Sequence, residues 1–216
     1  MDHGRGARRR QGEERRQAII DVALRLFGEQ GFDGTSIRDI AREVGVTEGL
    51  LYHYFESKSD LVHAICRERG WRARLGQVLA EAMGMPLEAG LREVTRQFLE
   101  SLVENRHIVR LLVSELHRDP ALAERHLREI EASRSSIVAS LEPRRRSGEL
   151  RPDADVRAAV GLLLGSAYSL FALWGEFPVE QWRELTRSLL EDGVALVARA
   201  ITADGSTAEA CRPVAT

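Results

Sequence analysis

The stretch "GFDGTSIRDIAREVGVTEGLLYHYFESKSDLV", Gly31 to Val62, decides how this chain folds. Its second half, Thr47 to Leu61, gathers two tyrosines, a histidine, a phenylalanine and the only lysine of the chain. Aromatic side chains on a short helix usually mean core. Stepping about 100° per residue from Leu51, however, puts Phe55 on the same face and Gly49 and His53 nearly opposite, with Leu50 and Tyr52 on the flanks of the outer side. One helix anchored by Leu51 and Phe55 therefore presents Gly49, Leu50, Tyr52 and His53 to something outside.

The residues upstream supply the turn. Ser36 and Asp39 have the S-x-x-D spacing of a capping box, and Ile37, Ile40, Ala41 and Val44 repeat at helical intervals. Gly45 ends this short helix, since a left-handed conformation costs glycine little, and Thr47 then caps the next. Before them Gln17–Gln30 reads as a first helix with Ile19, Ile20, Ala23, Leu24 and Phe27 inward, ended by Gly31. Helix, glycine turn, and a helix with a polar and aromatic outer face form a helix-turn-helix.

The whole chain bounds this reading only loosely. Its 216 residues are enough for one large or two small domains, and a net charge of −2 carries no global sign of nucleic-acid binding. The sign is uneven, slightly basic up to about residue 74 and acidic beyond. All but one of the 31 basic residues are arginine, most simply a coding bias. Cys66 and Cys211 show neither metal spacing nor a disulfide framework, which fits a reduced, cytoplasmic protein. The basic opening has no apolar run after it, so no secretory signal is expected there. Ala158 to Gly175 is apolar over about the length of a thin bilayer, but Gly161, Gly165 and Ser169 recur every four residues. A helix buried on most sides of a bundle accounts for it better, and no membrane partner is expected.

No alternating stretch is long enough for a sheet, and the fold class is all-α. The fourth helix is expected over Lys58–Met83, followed by helices at Leu87–Glu104, Arg106–His117, Pro120–Leu141, Asp153–Gly175 and Val179–Ile201. The expected organisation is a flexible basic arm over 1–12, a helix-turn-helix domain over 13–65, a helical domain over 66–201 and a flexible tail over 202–216.

The Thr-Ser pair before "IRDIA", the "GV" turn and "LYHYF" followed by "SK..L" closely resemble the DNA-binding domain of the TetR family of bacterial transcription regulators, over roughly Gln17 to Ile65. The resemblance implies an N-terminal three-helix DNA-binding domain and a C-terminal helical domain for effector binding and dimerisation. It places the third helix in the major groove of a double-stranded operator, with Glu48, Gly49 and Leu50 nearest the base edges. Arg38 resembles a position that reaches a base or phosphate. Tyr52, His53 and Tyr54 would contact the sugar-phosphate backbone, Ser36 and Thr47 would do so from helix starts, and Lys58 would add a charge. Glu48 departs from the family pattern, where lysine, arginine or a neutral residue is frequent. A carboxylate near phosphates is useful mainly as an acceptor from a cytosine N4 amino group; otherwise Glu48 is a solvated acid favoured by the helix dipole. Ser36 has a second reading as a cap alone, and Tyr54 as half core.

The same resemblance implies a palindromic operator bound by a homodimer, acting as a repressor and released by a small-molecule effector. Phe98, Leu102, Leu112, Tyr168, Phe171 and Trp174 offer apolar surface at helical spacing, and Glu115, His117 and Tyr168 offer polar groups to orient a largely apolar ligand. No cofactor is expected. "ENRH", Glu104 to His107, has Glu-x-x-His spacing but no second copy, and His63 and Cys66, three apart, have neither an oriented base nor an oxyanion site. The competing reading is a helical-bundle binding protein or enzyme without DNA binding.

Overall fold

The computed structural model describes residues 3–175 and 177–203, and the chain divides into two compact units. The first comprises the residues up to Gly70 together with Asn105–His126; the second comprises Trp71–Glu104 and the residues from Leu127 on. Among the described residues the regular structure is helical throughout, apart from one isolated β-bridge.

In the first unit α1 spans His3–Gly34, α2 Ile37–Val44, α3 Glu48–Tyr54 and α4 Lys58–Arg69. The opening residues, expected as a flexible arm over 1–12, are helical from His3 on. Gly31 still breaks α1 with φ 74° and ψ 170°, a conformation open essentially to glycine alone. Immediately after it, Thr35 is buried and its hydroxyl donates to the carbonyls of Leu26 (3.1 Å) and Gly31 (2.8 Å), closing the turn.

Each following helix start is capped from its own sequence. Asp39 N–H donates to Ser36 Oγ and Ser36 N–H to Asp39 Oδ2, both at 3.1 Å, which completes the capping box. The Ser36 hydroxyl and backbone hydrogen bonds also hold the Asp39 carboxyl below its ordinary pKa. Thr47 accepts from Leu50 N–H and Ser57 from Asp60 N–H. Gly45, at φ 78° and ψ 33°, ends α2 and donates to Arg42 O. Leu51 and Phe55 are buried with Ile19, Ile20, Ile40, Leu61 and Val62. Each such side chain contributes about 1.5–3 kcal/mol of transfer free energy.

Helix α7, Arg106–Leu116, and the start of α8, Pro120–Arg146, complete this unit: Ile108, Leu112 and Leu122 belong to its core. The sequence expectation had assigned them to the 66–201 domain. Their apolar spacing announces a buried face but not which core buries it.

The second unit begins where the expected long fourth helix stops. Gly70 separates α4 from α5, Trp71–Met83, and a Cβ there would lie 2.4 Å from the Cys66 carbonyl oxygen, so no side chain fits. Helix α6, Leu87–Glu104, approaches α5 so closely that a Cβ on Gly90 would stand 2.8 Å from Ala82 O. Helix α8 continues to Arg146 with Pro143 inside its last turns, and α9 spans Val156–Trp174. The last expected helix is α10, Val179–Ser188, a π-helical segment Leu189–Gly193, and α11, Val194–Ile201. Leu75, Val78, Leu91, Val94, Ile137, Val160, Leu163, Val194 and Ile201 lie in one core. Arg151 N–H to Ile201 O and Ala203 N–H to Glu149 O, both 2.9 Å, tie the end of α11 to the turn after α8. The expected tail over 202–216 lies outside the described residues beyond Ala203.

Helix α9 is long and apolar enough to cross a membrane by length and composition. Ala159, Val160, Leu163, Ala167 and Phe171 nevertheless bury one of its faces within the second unit.

Candidate nucleic-acid interface

The geometry of α3 follows from two anchors and one cap. Leu51 is fully buried and Phe55 nearly so, which turns the opposite side outward. Ser36, Arg38, Thr47, Glu48, Gly49 and His53 are exposed, Leu50 is half-buried, and Tyr52 is 52% exposed. A 52% exposed tyrosine among buried neighbours has its hydroxyl free for an external acceptor. The outer face carries no unmatched run of acids: Asp39 is paired with Arg42 at 2.7 Å and Glu43 with Arg25 at 2.6 Å.

Two of the expected contact residues are partly engaged inside the protein. Tyr54 is half-buried, edge-on to His53 with ring centroids 5.5 Å apart, and its hydroxyl sits beside α1 at Gly12. The Lys58 ammonium donates to the carbonyl of Phe32 and lies 3.9 Å from the centroid of that ring. Burial pushes its pKa down, opposed by the charges of Asp33 and Glu115. Lys58 thus ties the start of α4 to the segment after the Gly31 break.

Behind α3, Arg16 packs its guanidinium 5.2 Å from the Phe55 ring centroid and pairs with Glu68 at 2.6 Å. Burial raises the Glu68 pKa, but hydrogen bonds from Arg67, Arg16 and Gln17 outweigh it and the net shift is downward. This network joins α1 to α4 directly beneath the outer helix. Nothing in the local sequence pattern marks it, because Arg16 and Glu68 meet only once α1 and α4 pack.

The eight expected effector-site residues are not brought together. Leu112, Glu115 and His117 belong to the first unit. Leu112 is in its core, Glu115 is buried and accepts from the Ser59 hydroxyl and from Arg118 (3.2 Å), and His117 is exposed with Nδ1 2.7 Å from Val113 O. Phe98, Leu102, Tyr168, Phe171 and Trp174 belong to the second unit. Phe98 packs edge-on to Trp71 (5.4 Å), Leu102 is buried, and Phe171 stands between Tyr168 and Trp182, 6.4 Å from each. Trp71 and Trp182 were missed by the sequence reading; their helical spacing to Leu75 and Thr186 was the available signal. An open groove of about 690 Å³ runs along α9, α10 and the π-helical segment, lined by Trp174 but by none of the other seven.

Comparison with known proteins agrees with this architecture. Residues 19–65 match the family described as "Bacterial regulatory proteins, tetR family", and residues 86–185 match "Tetracyclin repressor-like, C-terminal domain". The HTH-type transcriptional repressor KstR2 of Rhodococcus jostii is 30% identical over 84% of this chain and 91% of its own. The HTH-type transcriptional regulator AcrR of Shigella flexneri is 40% identical over 44% of this chain and 45% of its own. A solved putative TetR-family regulator from Mesorhizobium loti superposes with a TM-score of 0.67 over 89% of this chain and 98% of that one, at 20% identity, which bears on the fold alone. The chain belongs to the TetR family. It is a DNA-binding transcriptional regulator rather than an enzyme.

Proposed function

We propose that the protein is a repressor that binds an inverted-repeat operator as a homodimer, with α3 of each copy in the major groove. The observation that carries this is the division of α3 into a buried pair, Leu51 and Phe55, and an outer face bearing Thr47, Glu48, Gly49, Leu50, Tyr52 and His53. Glu48, Gly49 and Leu50 meet base edges; Ser36, Arg38, Thr47, Tyr52 and His53 meet the backbone. Lys58 and Tyr54 act chiefly by positioning the helices that hold these groups.

Dimerisation is assigned to α9 and α11. Leu162, Leu173 and Leu196 are 64%, 67% and 63% exposed, and the small residues Gly165, Ser166 and Ser169 beside them allow close approach. One short helix reads few base pairs, and two-fold symmetry doubles the site.

The effector is a small, largely apolar molecule bound in the second unit near Phe98, Leu102, Tyr168, Phe171 and Trp174, and it releases the operator. A tenfold loss of DNA affinity requires the ligand to prefer the DNA-incompetent state by about 1.4 kcal/mol. Glu115 is better suited to transmission than to ligand contact, because its bond to Ser59 reaches the first turn of α4.

The experiment is fluorescence anisotropy on duplexes from the neighbouring intergenic DNA, with light scattering for mass. Tyr52→Phe should weaken operator and random duplex alike, and Leu50→Ala should alter sequence preference. A monomer at micromolar concentration, or no difference between operator and random DNA, would refute the proposal.

A further inference from the structure

A second cluster of side chains with ligand chemistry lies away from the outer face of α3. His63 stands in the middle of α4 and is only 4% exposed. His126 stands on α8, and the two imidazoles meet edge to face with centroids 5.6 Å apart and planes at 80°. Glu129 follows His126 by three residues, one turn along the same unbroken helix, so both project on one side of α8. One ligand atom from each of the three residues lies within 4.8 Å of those of the other two.

We propose that His63, His126 and Glu129 form a binding site for one divalent transition-metal ion of the zinc class. The donor set carries the choice of metal. Two imidazole nitrogens and one carboxylate oxygen suit a borderline ion, whereas magnesium and calcium take oxygen ligands throughout. Zinc bonds to such donors at about 2.0–2.2 Å, so the edge of its tetrahedron is about 3.4 Å. Closing from 4.8 Å or less to that edge asks for about 1.4 Å at most, which rotation of the glutamate side chain supplies. Three protein ligands leave a fourth position for water or a small anion.

Cys66, one turn beyond His63, is not a fourth ligand, because its Sγ–H is directed to the Ile108 carbonyl at 3.7 Å. No sequence motif reveals this site: His63 and the His126–Glu129 pair are far apart in the chain and only the packing of α4 on α8 joins them. A bound ion would cross-link α4, the helix next after α3, to α8.

The test uses full-length protein stripped of metal with a chelator and desalted. It is titrated with Zn2+ by calorimetry and with Co2+ by visible absorption. One ion per chain at micromolar or lower Kd, with the d–d bands of a four-coordinate Co2+ site, is expected. His126→Gln and Glu129→Gln should each weaken Zn2+ binding at least tenfold while leaving the metal-free circular dichroism and melting temperature unchanged. His63→Gln should do the same; should that buried variant fail to fold, the other two decide. Absence of binding overturns the site, as does equal affinity in the variants, which would place the ion at other histidines. A loss confined to one of His126→Gln and Glu129→Gln overturns the three-ligand arrangement.

Discussion

The two units of this protein are both helical bundles, yet they are specified in different ways. In the first, every helix boundary from Gly31 to Ser57 has a local chemical cause: a break at Gly31, a capping box at Ser36, a left-handed Gly45, caps at Thr47 and Ser57. In the second, α5, α6, α8 and α10 begin without a side-chain cap hydrogen bond of this kind, Asp155 alone capping α9 among the starts described. That unit is held by its core and by close backbone approach at Gly90. Local rules therefore dictate the unit that must present a fixed surface to DNA, and side-chain packing dictates the unit that binds a variable ligand.

Substitutions can break this contrast, and the tryptophans provide the readout. All three, Trp71, Trp174 and Trp182, lie in the second unit, so their fluorescence follows that unit while far-ultraviolet circular dichroism follows both. Phe55→Ala is expected to have the largest effect, about 3–5 kcal/mol, from removal of a fully packed ring. Helical signal should be lost at lower temperature than the tryptophan transition. A single coincident transition would show that the two units unfold as one.

Gly90→Ala comes next, at roughly 1–3 kcal/mol, since the new methyl group must push α5 and α6 apart. Here the tryptophan transition should move and operator binding at low temperature should persist. Ser36→Ala should cost about 1 kcal/mol, lowering the stability of the first unit alone by removing the acceptor for Asp39 N–H. A change in operator affinity larger than that stability loss implies would mean that Ser36 also touches DNA.

The smallest effect concerns pH. Glu68 has a folded-state pKa below its unfolded value because Arg67, Arg16 and Gln17 bind the carboxylate. Its contribution to stability is therefore complete above the unfolded pKa of about 4.5 and is lost as pH falls through the lower folded value. Thermal melts between about pH 5 and about pH 3 should show a steeper loss for the parent than for Glu68→Gln. Equal slopes would assign the acid sensitivity to other carboxylates.

The sequence by itself determined the helix-turn-helix, because capping, glycine conformation and a two-anchor amphipathic helix act within a few residues of one another. It also determined that the rest is helical, since apolar spacing survives without knowledge of partners. Only the tertiary structure decided where the long fourth helix ends, because the break at Gly70 is enforced by the Cys66 carbonyl and glycine alone is tolerated inside many helices. Only it decided that Leu112 and Glu115 serve the first unit while Phe98 and Phe171 serve the second. Burial on one helix face is a property of the sequence, but the identity of the surface that buries it is not: apolar contact is non-directional, and any core of suitable shape satisfies it. The same holds for Lys58 on Phe32, Glu68 under Arg16 and His63 against His126, whose partners are chosen by packing between segments distant in the chain.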